Sequence, residues 1–173
     1  MKIFLVRHGE KELSEEDVSL TKEGFIQAKA VAKQLMKYKI SKVYSSDLLR
    51  AKQTANEYVL LSQQKIIETS KLREIYRVLV GGPERENTSK NRLKEDKQRA
   101  DEIFDEFLTV NENIVVFCHG NIIKYFLNKI LKSNEDIWTK MTINTCSISI
   151  INFENKLLGI ETINLIEHLP NKV

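Results

Sequence analysis

The sequence predicts an α/β three-layer sandwich with a mostly parallel central sheet, helices on both faces and an antiparallel edge. Three observations carry this expectation. Continuous apolar runs recur, "IFLV" at residues 3–6 and "IVVF" at 114–117, in the pattern of strands covered on both faces. Between them the apolar spacing lengthens to that of amphipathic helices. The end of the chain instead alternates apolar and polar residues about Asn155-Lys156, as in a hairpin at one side of a sheet. Alternating strands and helices bury themselves by layering helices on a parallel sheet. With 173 residues and 42% hydrophobic content, the chain suffices for one domain over residues 1–173.

In order along the chain, Ile3–Val6 is the first strand. From Thr21 a helix follows, with Phe25, Ala28, Ala32 and Leu35 on its inner face, Val31 and Met36 beside them, and Lys22, Lys29, Lys33 and Lys37 elsewhere. "KVYSSDLLRAKQTANEYVLL" gives a strand over Lys42–Tyr44, a cap at Ser46 or Asp47, and a helix to about Leu60. The segment from Ile66 onward is irregular, broken at Gly81-Gly82-Pro83. Its charged second half forms a helix that buries Leu93, Ala100, Ile103, Phe104 and Phe107. The strand Ile114–Phe117 and a helix over Gly120–Leu131 come next, the latter turning Ile123, Phe126, Leu127 and Ile130 inward. No repeat, low-complexity tract or linker interrupts this order.

Composition narrows the function classes. The 27 basic and 24 acidic residues leave a formal charge of +3 without a basic tract, so no nucleic-acid partner is indicated. No apolar run approaches a membrane span, and no lipidation motif is present, so no membrane partner is expected. Cys118 and Cys146 lack metal-ligand spacing, which predicts neither a zinc site nor a disulfide framework and fits a reducing, cytoplasmic setting.

In parallel sheets ligands bind beyond the carboxyl ends of the strands. Two of the three histidines lie there, each followed by glycine: "IFLVRHG" at His8 and "IVVFCHG" at His119. Glycine at 9 and 120 permits a sharp turn and close approach of a ligand to the main chain. Arg50 falls in the first turn of the second helix, from which it can reach back over an N-terminus that favours anions. Arg7, His8, Arg50 and His119 without a carboxylate cluster point to a tetrahedral oxyanion, a phosphoryl group above all. Arginine forks hold phosphate oxygens bidentately and keep their charge. A histidine among fixed cations has its charged form disfavoured, which frees a ring nitrogen for attack. Taken singly, each residue has a plainer reading: a histidine after a strand is a hydrogen-bonded structural group, and Arg50 is a solvated helix residue or a partner of Asp47. Cys118 reads as an inert buried thiol, and His168 as a structural or solvated residue.

The segments "LVRHGE", "SLTKEGFIQAKAVAKQL", "VYSSDLLRAKQTA", "LRE" and "FCHGNIIKYF" together resemble the histidine phosphatase, or phosphoglycerate mutase-like, superfamily over nearly the whole chain. "SSDLLRAKQTA" and "HGNIIKYF", followed by a Trp and the terminal strand pair, resemble most the mitochondrial-type protein serine/threonine phosphatases, without their N-terminal membrane segment. The resemblance implies that His8 is the phosphoryl acceptor. Arg7, Arg50, His119 and Gly120 bind phosphate, Glu74 in "KLREIY" is the general acid, and no metal or other cofactor is needed. Two departures favour phosphatase over mutase. Lys11-Glu12-Leu13-Ser14 replaces the Ser/Thr and Asn usual in mutases, with Ser14 as a substitute, and the long mutase insertion is reduced to Leu79–Glu102, a candidate lid.

The expected function is a metal-independent phosphomonoesterase acting on phosphorylated protein or a small metabolite, as a monomer or homodimer. Phosphohistidine phosphatases are the enzyme alternative, although they generally lack an acid at the "LRE" position. A silent phospho-ligand binding module is the non-enzyme alternative; it would need the cations but neither nucleophile nor acid.

Overall fold

The computed structural model describes residues 1–13, 17–75, 90–133 and 140–170. Within them run β1 (Lys2–Arg7), α1 (Lys22–Leu35), β2 (Lys42–Ser46), α2 (Leu49–Ser62), β3 (Ile66–Thr69), α3 (Lys90–Leu108), β4 (Ile114–Cys118), α4 (Gly120–Leu131), β5 (Ile148–Glu154) and β6 (Leu157–Leu165). The sheet has the order β3-β2-β4-β1-β5-β6. β3, β2, β4 and β1 are mutually parallel, while β5 and β6 run antiparallel at one side.

Strand side chains alternate between faces, and that alternation divides the core. Ile3 and Leu5 of β1 and Ile114 and Val116 of β4 join Ala100, Phe104 and Phe107 of α3 and Ile123, Phe126 and Leu127 of α4. Phe4, Val6, Val115 and Phe117 face the other way, onto Ala28, Val31, Ala32 and Leu35 of α1 and Ala55 and Tyr58 of α2. Each fully buried large side chain stabilises the layers by roughly 1.5–3 kcal/mol. The three-layer arrangement read from the sequence is therefore the observed one. At the β5–β6 turn, Asn155 and Lys156 both adopt positive φ, 50° and 63°, as a two-residue hairpin turn demands.

Several local expectations need correction. β3 is a strand that the sequence reading left irregular; it is four residues long, half exposed and paired only with β2, so no apolar run marks it. β2 extends through Ser45 and Ser46, which are polar yet fully buried, so Ser46 ends a strand and does not cap α2. The N-cap position of α2 is Leu48, with no capping side chain of its own; both oxygens of Asp17 accept from the Leu49 amide at 2.7 and 3.0 Å. Met36 sits at the C-cap of α1, 46% exposed and off the buried face. Phe25, Leu93 and Ile130 are only partly buried. Of the candidate lid, residues 90–102 belong to α3, whose inner side packs into the core. Residues 79–89, and Ser14, lie outside the described residues. No helix among the described residues is long and apolar enough to cross a membrane.

Candidate active site

The sheet register brings the two His-Gly turns together. Arg7 of β1 is level with Cys118 of β4, so the next residue on each strand emerges at the same edge. The His8 amide donates to the Cys118 carbonyl at 3.0 Å, and the His8 and His119 rings lie 5.2 Å apart, edge to face.

Both histidines are almost wholly buried. His8 Nδ1 is 2.7 Å from the Gly9 carbonyl. Since a carbonyl only accepts, Nδ1 carries the proton and Nε2 holds the lone pair. Burial pushes the His8 pKa down to about 3; the Gly9 carbonyl opposes this, while Arg7, Arg50 and Lys11 depress it further. The direction matches the sequence expectation, but removal from water outweighs the cations as its cause. His119 is likewise held well below the ordinary range, first by burial and then by His8, Arg50, Arg7 and Arg99. Its Nε2 lies 2.9 Å from the Ser46 hydroxyl, whose oxygen accepts from the Leu48 amide at 3.4 Å. Assigning that hydroxyl as donor to Nε2 leaves the proton on Nδ1, a buried atom without a partner.

Arg7 and Arg50 complete the cationic wall. Arg7 Nη1 donates to the Ile143 carbonyl at 2.6 Å, and its buried Nε has no partner. Arg50 is the second residue of α2; its Nη1 is 3.6 Å from Asp17, and its Nε is also buried without a partner. The suggested pairing with Asp47 is not formed, because Arg73 takes that carboxylate through Nε at 2.9 Å and Nη2 at 2.6 Å. Burial lowers the pKa of both arginines, with Glu74 acting against it. Such groups stay charged at any physiological pH.

Glu74 follows a single 3-10 turn, Ser70–Leu72. Its Oε1 accepts from the amides of Asn121 at 2.9 Å, Ile122 at 3.1 Å and Ile75 at 3.1 Å. The carboxylate thereby caps the helix whose N-cap residue is His119. Burial raises the Glu74 pKa, against the pull of these three amides and of Arg7.

The glycines differ from expectation. Neither Gly9 nor Gly120 has positive φ, so neither serves a turn that only glycine can make. At Gly9 a Cβ would lie 2.6 Å from the Gly24 carbonyl oxygen of α1, a main-chain approach that excludes any side chain. A Cβ at Gly120 would meet Arg7 Nε at 3.6 Å, an ordinary contact beside the guanidinium.

The sequence reading thus named five side chains that the fold gathers, and missed four that hold them. Ser46 supports His119. Asp17 ties Arg50 to the helix start. Thr54 links the two arginine segments, accepting from the Gly9 amide at 3.0 Å and donating to the Arg50 carbonyl at 2.8 Å. Arg99 lies near enough for its charge to reach His119. Only the polar "SS" ending a strand carried a signal; the other three depend on tertiary approach. Cys118 and Cys146 are buried thiols with pKa values pushed upward. His168 Nε2 donates to the Cys146 carbonyl at 2.9 Å, and the Cys146 amide donates to the Arg7 carbonyl at 2.9 Å, so His168 braces the site from behind.

Residues 3–166 match the histidine phosphatase superfamily (branch 1). The chain is 27% identical over 196 residues to the mitochondrial serine/threonine-protein phosphatase Pgam5 of Caenorhabditis elegans, covering 99% of this chain but 65% of that protein. It therefore spans somewhat less than two thirds of that relative. A crystal structure of phosphoserine phosphatase from Entamoeba histolytica, in complex with 3-phosphoglyceric acid, superposes with a TM-score of 0.77 at 25% identity, covering 97% of this chain and 98% of that one. Bacillus stearothermophilus YhfR shares the fold with a TM-score of 0.82 at 19% identity, covering 97% and 98%.

Proposed function

The chain belongs to branch 1 of the histidine phosphatase superfamily, and we propose that it is a metal-independent phosphoric monoester hydrolase working through a phosphohistidine at His8. The observation that carries this reading is the 2.7 Å contact of His8 Nδ1 with the Gly9 carbonyl, which fixes the tautomer with Nε2 unprotonated in a buried, cation-lined site. At neutral pH that nitrogen is a nucleophile without prior deprotonation.

His8 Nε2 attacks phosphorus, and the bond from phosphorus to the ester oxygen breaks. Arg7, Arg50 and the Nδ1 proton of His119 hold the phosphoryl oxygens as charge spreads over them. Glu74, protonated to the extent that burial raises its pKa, gives its proton to the departing oxygen. The resulting carboxylate then takes a proton from water as that water attacks phosphorus. The bond from phosphorus to Nε2 breaks, releasing phosphate and restoring the neutral histidine. Gly120 contributes room for a phosphoryl oxygen near Arg7.

The substrate class we infer is a phosphorylated serine or threonine side chain on a protein, a reading supported by relatives named serine/threonine-protein phosphatases. A small phosphorylated metabolite is the second reading, favoured by the likeness to an enzyme named phosphoserine phosphatase. A phosphohistidine substrate is disfavoured by the placement of Glu74, since a phosphoramidate leaves with less need of an acid. A binding module would need no nucleophilic nitrogen.

The test is to quench turnover of a radiolabelled phosphomonoester with denaturant and assay label on the protein. The wild type should carry acid-labile, base-stable phosphate, and His8→Ala none, with loss of turnover by at least about 10³-fold. Undiminished label or turnover in His8→Ala overturns the proposal.

A further inference from the structure

We infer that Arg99 of α3 is a positioning residue that aims Glu74 at the leaving-group oxygen. This rests on the reading of Glu74 as the acid.

The segment bearing Glu74 lies beyond the end of β3, so no sheet ladder fixes it. The structure holds it from two sides. The carboxylate is bound by the first amides of α4. The main chain is bound by Arg99, whose Nη1 donates to the carbonyls of Lys71 at 2.9 Å and Arg73 at 2.7 Å and whose Nη2 donates to the carbonyl of Glu74 at 2.8 Å; Asn121 Nδ2 adds a bond to the Ile75 carbonyl at 3.2 Å. Asp96, one turn earlier on α3, accepts from Nε at 3.0 Å and Nη2 at 2.8 Å and sets the plane of the guanidinium. Only a planar fork with several fixed donors can serve three carbonyls and a carboxylate together; a lysine ammonium cannot.

The platform behind the clamp is itself braced. α3 packs on α4 through Phe104 and Phe126, whose ring centroids are 5.0 Å apart. Asp101 accepts from Tyr125 Oη at 2.9 Å and from Lys129 Nζ at 2.8 Å. α4 also presents the amides that grip Glu74 and has His119 as its N-cap residue. Arg99 therefore connects the main chain at Glu74 to the helix pair that fixes both its carboxylate and the second histidine. A small displacement of a catalytic group costs rate steeply, up to about 100-fold for 1 Å. An arginine that only tied α3 to the domain would affect all substrates alike. One that aims the acid matters in proportion to the leaving group's need of a proton.

The experiment measures kcat/KM for the wild type, Arg99→Ala, Arg99→Lys and Glu74→Gln across aryl and alkyl phosphates of rising leaving-group pKa, with thermal melts of each variant. kcat/KM covers the steps through departure of the leaving group. Arg99→Ala should lose roughly tenfold more on alkyl phosphates than on p-nitrophenyl phosphate, steepening the leaving-group dependence in the direction of Glu74→Gln. Arg99→Lys keeps the cation and stem, and should fall between Arg99→Ala and the wild type. A steep Glu74→Gln series with Arg99→Ala and Arg99→Lys parallel to the wild type overturns the inference about Arg99 alone. A flat Glu74→Gln series overturns the acid reading beneath it. If Arg99→Ala does not fold, Arg99→Lys decides by the same criterion.

Discussion

The two His-Gly turns look alike in sequence and differ in how the fold uses them. Both follow buried strands that pair with each other, and both histidines are almost completely buried. His8 binds its own main chain through Nδ1, so its tautomer is fixed by the local turn. His119 meets a hydroxyl on the neighbouring strand through Nε2; with that hydroxyl as donor, the ring proton sits on Nδ1. Opposite nitrogens are tied down, and opposite chemistry is left over: a lone pair on one ring and a proton on the other. Repetition of a motif pointed to the place, and the one hydrogen bond on each ring distinguishes the two.

The sharpest way to break this contrast is to remove His119 and then its orienting hydroxyl. His119→Ala should lower kcat/KM by about 10²–10³-fold, the usual cost of losing one donor to a transition-state oxyanion. It should still acquire label on His8, slowly. Ser46→Ala should lose less, about tenfold, because the ring remains but either nitrogen can then carry the proton. Rapid-quench labelling separates these outcomes. Abolition of labelling in His119→Ala, at a rate indistinguishable from His8→Ala, would make the two rings equivalent and end the division proposed here.

The contrast also marks what was legible in the chain. Continuous apolar strands, helical periodicity and the terminal hairpin gave the layer order, because each is a local pattern of burial. His8, Arg7, His119 and Arg50 were legible because strand ends and helix starts converge at one edge of a parallel sheet. Glu74 was not legible by pattern; family resemblance alone marked it, since its placement depends on amides from a helix 47 residues away. Asp17, Thr54 and Arg99 stayed hidden for the same reason, each acting across a wide sequence separation. β3 escaped notice because an edge strand with half-exposed residues needs no apolar run. Arg99 is the instructive miss, since nothing in the charged stretch of α3 sets it apart from its basic neighbours.

A smaller effect is expected in stability against pH. The folded His8 pKa, about 3, lies below its ordinary value of 6.5. Between those values the unfolded chain binds the extra proton, so stability must fall as pH falls through that window. Each such histidine contributes up to about 1.4 kcal/mol per pH unit there, and His119 acts in the same direction. Glu74 works the other way: its raised folded pKa favours the fold at low pH, and that contribution fades as pH rises through it. Denaturant melts at stepped pH should therefore show His8→Ala losing less stability than the wild type on going from pH 6.5 to 4. Equal slopes would mean that folded His8 takes up its proton as readily as the unfolded chain over that range, and that burial does not hold its pKa down.

The smallest effect distinguishes the two glycines. At Gly9 the 2.6 Å approach of the Gly24 carbonyl leaves no room for a methyl group. Gly120, in contrast, begins α4 and offers a Cβ only ordinary contact with Arg7 at 3.6 Å. Replacing a helical glycine by alanine changes stability by roughly 0.5–1 kcal/mol, in favour of the fold where space allows. Gly120→Ala should therefore melt at or slightly above the wild-type temperature. Its methyl group would nevertheless stand beside the Arg7 guanidinium, where a phosphoryl oxygen is proposed to lie. KM for a phosphomonoester should rise several-fold with kcat little changed, since the crowding acts on the bound anion and not on His8 or Glu74. An unchanged KM in a stable Gly120→Ala would remove Gly120 from the anion site and leave it a helix-start residue, with Arg7, Arg50 and His119 as the phosphate contacts.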